Sequence, residues 1–228
     1  MRICGLDPSL TNTGIAILEA RCSECGSRGC HELWPQQRKC CPDCRCTRPV
    51  QPVALHSIGW GEDGGKSYVE RNRRGRSLAS SVMQYVIDRS PDLVIIEAPI
   101  PRGLNRSNQP DLWWLFGLLL AECDIRKLES VIVNPRIRQA WPTGNGNAGK
   151  PEILEEVRRW WGGAYKREVR NADIADAVAL ACIAALRYGY EMPFSPVKQR
   201  HWTPLLEKVV WPASAPAAPE QPEQLRLA

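Results

Sequence analysis

Ile3-Cys4-Gly5-Leu6-Asp7-Pro8-Ser9-Leu10-Thr11-Asn12-Thr13-Gly14 decides how the rest of the chain is read. An apolar strand runs into an acid and a turn, and Gly14 then leads into a second β-rich run, Ile15-Ala16-Ile17-Leu18. Two such runs about a short turn predict a hairpin of buried strands. Working outward, Val53 to Trp60 reads as a third strand. Residues 61–76 are Gly-rich and basic and read as a loop leading into a helix. That helix is expected over Ser77 to Arg89, where Leu78, Val82, Tyr85 and Val86 form an apolar stripe at helical spacing. Asp92 to Glu97 is a nearly continuous apolar run, typical of a strand covered on both faces. A helix over Leu112 to Leu128, a strand over Ser130 to Val133, and helices over Glu152 to Trp161 and Ala172 to Tyr188 complete the pattern. Strands first, then alternation of helix and strand, predict an α/β domain with a mixed sheet.

Four carboxylates stand out. Asp7 and Glu97 each close an apolar strand. A charge there is costly unless it is paired or bound to metal. Asp173 and Asp176, three apart, share one face of the last helix, which continues almost wholly apolar through Ile183. Hard oxygen ligands of this kind suit Mg²⁺ or Mn²⁺ rather than zinc. Singly, Asp7 reads as a turn residue, Asp173 as a helix cap and Glu97 as an arginine partner; together the four point to a metal-dependent hydrolytic centre.

The opening segment, with its strand-closing Asp7, resembles the start of the RuvC resolvases. Pro91-Asp92-Leu93-Val94-Ile95-Ile96-Glu97 resembles their second acidic strand. Thr143-Gly144-Asn145-Gly146-Asn147-Ala148-Gly149-Lys150 is similar to their Gly-rich segment ending in a functional lysine, and Asn171-Ala172-Asp173-Ile174-Ala175-Asp176-Ala177 to their closing acidic helix. The four motifs occur in family order over residues 2–188. The resemblance implies a ribonuclease H-like mixed sheet flanked by helices. It implies an endonuclease that resolves four-way (Holliday) DNA junctions with two Mg²⁺ or Mn²⁺ ions on Asp7, Glu97, Asp173 and Asp176, leaving 5′-phosphate and 3′-hydroxyl ends. It further implies a charge-stabilising or water-orienting role for Lys150, a second basic, DNA-contacting position at Arg138, and a homodimer. The helix bearing Trp113, Trp114, Leu115 and Leu118 reads as either a dimer face or core. The family's aromatic after the second acid is absent here, where Glu97 is followed by Ala98-Pro99-Ile100-Pro101-Arg102. That departure keeps forks, flaps and RNA–DNA hybrids open as substrates.

Residues 21–48 interrupt the nuclease pattern of residues 1–202. Of ten cysteines in the chain, seven fall here, and Cys22-x-x-Cys25 with Cys41-x-x-Cys44 has the spacing of a Cys4 zinc site. Cys30, His31, Cys40 and Cys46 leave the full ligand set open. The basic side chains Arg21, Arg28, Arg38, Lys39, Arg45 and Arg48 allow a DNA-contacting module as well as a structural staple held by zinc.

The net charge of +5 suits a polyanionic partner without requiring one. Lys66, Arg71, Arg73, Arg74 and Arg76 cluster ahead of the first helix, and Arg102 and Arg106 follow Glu97. All are candidate phosphate contacts. No apolar run reaches the ~20 residues needed to span a bilayer, and the start lacks the basic-then-apolar order of a signal peptide. A reducing cytoplasmic setting without membrane association is therefore expected. Residues 203–228, rich in Pro and Ala, are expected to form a disordered tail. Two rivals share parts of these signals. A ribonuclease H-like ATPase or sugar kinase would use the Asp7–Gly14 loop for phosphate, but no second phosphate loop is found. A non-catalytic zinc-dependent DNA-binding protein would gain nothing from four acids converging near phosphate.

Overall fold

The structure is a computed structural model that describes residues 1–20, 50–60, 67–99, 109–190, 192 and 202–215. The Cys-rich segment, Lys66, Arg102, Arg106 and the chain beyond residue 215 lie outside the described residues.

Five strands form one mixed sheet in the order β3-β2-β1-β4-β5. The strands are β1 (Arg2–Asp7), β2 (Thr13–Ala20), β3 (Val50–Ile58), β4 (Leu93–Glu97) and β5 (Glu129–Val133). The first three pair antiparallel, and β1–β4 and β4–β5 pair parallel. Side chains alternate faces along each strand. Ile3, Leu93 and Ile95 enter one apolar cluster, while Cys4, Leu6, Val94 and Ile96 enter the other.

The helices are α1 (Tyr68–Ile87), α2 (Gln109–Ile125), α3 (Pro135–Thr143), α4 (Lys150–Arg159), α5 (Ala172–Arg187) and α6 (Trp202–Leu206), with a 3₁₀ turn at Trp160–Gly163. Helices α1 and α2 cover one face through Leu78, Val82, Met83, Val86, Leu115 and Leu119. Helix α5 covers the other, crossing β1 and β2 and backed by α3 and α4. Every residue of α5 from Ile174 to Ala185 is buried. Among the described residues, no helix is long and apolar enough to cross a membrane.

Three sequence expectations give way. Residues 68–76 are helix rather than loop, because Ser67 and Glu70 form a reciprocal capping box that starts α1 nine residues early. Helix α3 was not expected. Asn134 caps it by accepting from the Arg136 amide at 2.9 Å, and Pro135 occupies the first turn, where its missing N–H is harmless. The expected tail begins too soon: Leu205, Leu206 and Val209 are buried against the α5 layer, with Trp202 just before them. The Trp202 indole stacks on Trp141 at 5.0 Å and donates to the Trp141 carbonyl at 2.9 Å. A large aromatic with a satisfied N–H overrides the Pro/Ala bias that follows it.

Candidate active site

Strand register sets the first half of the site. In the parallel pair Leu6 lies opposite Ile96, so Asp7 and Glu97 are the next residues of adjacent strands. Both have the parity of Ile3 and Ile95, so both project toward α5. The backbone sets the second half. A Cβ on Gly5 would lie 2.0 Å from the Ala177 carbonyl oxygen, and one on Gly14 1.9 Å from that of Asp173. Only glycine permits this approach. It seats the start of α5 directly on the hairpin and brings Asp173 and Asp176 to the strand ends.

Burial is severe. Asp176 is fully buried and Asp7 is 7% exposed. Burial, then the charges of Glu97 and Asp176, raise the Asp7 carboxyl well above the usual range. Asp176 is pushed up to about 7, first by burial and then by Glu97 and Asp173, against the lowering pull of Arg138 and Lys150. Two nearby cations oppose that rise without cancelling it.

Two cations are present. Lys150, the first residue of α4, reaches Asp173 Oδ1 at 2.6 Å with its own side chain 61% exposed. Burial would lower its pKa, but the hydrogen bond it donates to Asp173 and the charges of Asp7 and Asp173 outweigh that and raise it. Asn12, in the turn after β1, donates from Nδ2 to Asp173 Oδ2 at 2.6 Å. Asp173 is therefore held from both sides, and Asn171 fixes its helix end by accepting from the Ile174 amide at 2.9 Å. Arg138 departs from expectation. It was expected as a DNA-facing base, yet it is 5% exposed. Its Nε and Nη2 form a forked pair with Glu97, and its Nη1 donates to Asp176 Oδ1 at 2.7 Å. Burial alone would lower its pKa; the hydrogen bond and charge of Glu97 and the charges of Asp176 and Asp7 raise it instead.

One atom remains unanswered. Asp176 Oδ2 is buried with no hydrogen-bond partner, a costly state for a carboxylate. An unpartnered oxygen amid hard donors fits a divalent cation, so the chemistry of Asp7, Glu97, Asp173 and Asp176 accommodates Mg²⁺ or Mn²⁺. Among the described residues, however, no three acids, histidines or cysteines already converge as a ligand set. Arg138 lies between two of the acids, bridging Glu97 and Asp176. Cys22, Cys25, Cys41 and Cys44, with Cys30, His31, Cys40 and Cys46, lie outside the described residues. The cysteines within them (Cys4, Cys123 and Cys182) are free, buried core thiols.

The basic cluster on α1 divides. Arg71 is spent on Asp111 of α2, with Nε and Nη2 at 2.8 and 2.6 Å from Oδ2. Arg74 is half-buried, whereas Arg73 and Arg76 are exposed. The latter two line an open groove between α1 and α2, with Ser77, Ser80, Leu118 and Glu122. On α2, Leu115 is core, while Trp113 and Trp114 are 43% and 45% exposed.

The sequence reading missed Asn12 and misjudged the partners of Arg138. A polar side chain in the turn following Asp7 was a weak signal for Asn12. For Arg138 there was none, because its partners lie 41 and 38 residues away.

No family model matches the chain. The crossover junction endodeoxyribonuclease RuvC of Corynebacterium efficiens is 27% identical over 181 residues, covering 79% of this chain and 67% of that protein. The RuvC of Renibacterium salmoninarum is 26% identical over 189 residues, covering 83% and 81%. The structure of Thermus thermophilus RuvC superposes with a TM-score of 0.55 at 18% identity, covering 85% of this chain and all of the other. The chain therefore has the RuvC fold, a mixed sheet between helical layers, and is similar in sequence to RuvC nucleases over about four-fifths of its length.

Proposed function

We propose that the chain is a divalent-metal-dependent endonuclease that resolves four-way DNA junctions. The observation that supports this reading is the register that makes Asp7 and Glu97 the next residues of adjacent parallel strands, beneath the closely seated helix that bears Asp173 and Asp176. Fold alone would not carry it, since one fold hosts many activities. The names of the similar bacterial proteins add support from sequence.

Divalent cations on these carboxylates would supply the Lewis acidity that activates water and stabilises charge on the scissile phosphate, leaving 5′-phosphate and 3′-hydroxyl ends. The chain's own residues do the rest. Asp7 and Asp176, poorly solvated and raised in pKa, favour cation binding over remaining charged and bare. Asn12 and Lys150 lock the Asp173 carboxylate in one orientation. Lys150, mostly exposed at the rim, would meet a phosphate oxygen as its negative charge grows. Arg73 and Arg76, exposed in the groove along α1, would offer their guanidinium groups to a DNA backbone. A homodimer through the outward Trp113 and Trp114 would set two such sites on opposing strands. A zinc module at residues 21–48 remains part of this proposal, as does a cytoplasmic setting.

A second reading keeps the chemistry and changes the substrate. Ala98-Pro99-Ile100-Pro101-Arg102 after Glu97 offers no aromatic to probe a junction centre, which favours forks or flaps. Incubation with Mg²⁺ and labelled four-way junction, fork, flap, duplex and single strand separates the two. Paired symmetric nicks in the junction support resolution; preferential cutting of forks or flaps moves the activity to debranching. No cleavage with Mg²⁺ or Mn²⁺ overturns both.

A further inference from the structure

The four acids carry eight carboxylate oxygens, and five are already committed. Both oxygens of Glu97 and Asp176 Oδ1 accept from Arg138, while the two oxygens of Asp173 accept from Lys150 and Asn12. What remains is the Asp7 carboxylate, which accepts no hydrogen bond among the described residues, and Asp176 Oδ2, buried and unpartnered. Two adjacent ions, ~4 Å apart, draw on shared and flanking ligands from several acids. A single Mg²⁺ is commonly held by one or two carboxylates, with water and substrate completing its shell.

The position of Arg138 leads to the same count. A second ion drawing on Glu97 and Asp176 Oδ1 would have to displace its guanidinium. Expulsion is expensive, because Arg138 is 5% exposed and its guanidinium makes a forked pair with Glu97. Breaking a buried pair strands a charge away from water.

We propose that this chain holds one divalent ion per active site, on Asp7 and Asp176, and that the Arg138 guanidinium serves as a fixed second cation between Glu97 and Asp176. The inference rests on the reading of these acids as a nuclease centre. It differs from the pair of ions that the RuvC resemblance implies. Arg138 acts here as a positioning residue: it holds Glu97 and the shared oxygen of Asp176 in place whether or not an ion is bound.

The test is a Mn²⁺ titration followed by electron paramagnetic resonance, run on the full chain alone and on the chain bound to a four-way junction with non-hydrolysable linkages. One Mn²⁺ per chain with an uncoupled spectrum is expected in both. Arg138→Met frees three carboxylate oxygens and is expected to raise the count to two, with spin coupling between neighbouring ions. Arg138→Lys keeps one charge in place and is expected to hold the count at one. Should Arg138→Met fail to fold, the wild-type count decides. Two coupled ions on the wild-type chain, with junction cleavage intact, would overturn this inference alone. No bound ion and no cleavage would overturn the nuclease reading and this inference with it.

Discussion

On one face of the sheet α5 lies so close that Gly5 and Gly14 have no room for a side chain; on the other, α1 and α2 stand off behind a full layer of Leu, Ile, Val and Met. The close face contains the buried acids, Arg138 and an unpartnered oxygen. The distant face is an apolar layer, with Arg73 and Arg76 on its outer side. The comparison teaches where this chain can hold four carboxylates. They need a backbone contact rigid enough to fix acids from opposite ends of the sequence, and among the described residues the α5 face provides one. The outer groove of α1 needs no such precision, because backbone phosphates are met by long, flexible cations.

The comparison is broken first by charge. Asp7→Asn and Asp176→Asn are each expected to lower cleavage by more than about 10²-fold, beyond the usual cost of losing a supporting partner. In metal-free buffer at neutral pH the same variants are expected to melt no lower than the wild-type chain, since each removes a carboxylate that burial disfavours. Thermal melting beside a cleavage assay checks both. A large drop in melting temperature would mean that these acids chiefly hold the fold together.

Glycine contacts sharpen it next. Gly14→Ala drives a methyl group into the Asp173 carbonyl and is expected to cost about 3 kcal/mol by urea unfolding. On the other layer, Gly117→Ala in α2 meets nothing within 4 Å and is expected to stabilise by about 1 kcal/mol, the usual helix gain. Equal effects at the two sites would erase the distinction drawn between the faces.

A pH series in the absence of divalent ions follows. Asp176 rises from the ordinary aspartate value to about 7 on folding. A raised carboxyl contributes stability that is fully present below the unfolded-state pKa, about 3.9. That contribution is lost as pH climbs through the folded value. The metal-free chain is therefore expected to lose stability between about pH 4 and 7, and Mg²⁺ to restore it at pH 7. Asp176→Asn should flatten the profile.

The smallest effects belong to the outer face. Arg73→Gln and Arg76→Gln together should weaken junction binding and lower the magnitude of the log–log salt slope by about 2, while Arg71→Gln, already paired with Asp111, should leave the slope nearly unchanged. Affinities measured across a range of salt concentrations distinguish them. A similar slope change for Arg71→Gln would mean that its ion pair opens to DNA.

All five strands and the buried acidic helix α5 were legible in the sequence, because apolar runs, alternation and the periodic Ala-rich stretch are local signals. The start of α1 was equally local, but Gly75 and the arginines that follow the Ser67–Glu70 box interrupt the apolar stripe there. Helix α3 has nine residues and two prolines, too few for a periodic stripe to show. The four acids could be picked out because strand ends and helix starts mark them. Their internal arrangement could not, since Arg138 and Asn12 reach their partners across 41 and 161 residues. Which acid a cation chooses is decided by packing.

One measurement bears most directly on the central claim that four acids form a single metal-dependent nuclease centre. It is the rate of four-way junction cleavage in Mg²⁺ by the wild-type chain and by Asp7→Asn, Glu97→Gln, Asp173→Asn and Asp176→Asn, each first shown to bind the junction. The account predicts cleavage by the wild-type chain and its loss in all four variants with junction affinity retained. Wild-type rates in any one of them would remove that acid from the centre, and wild-type rates in all four would contradict the account.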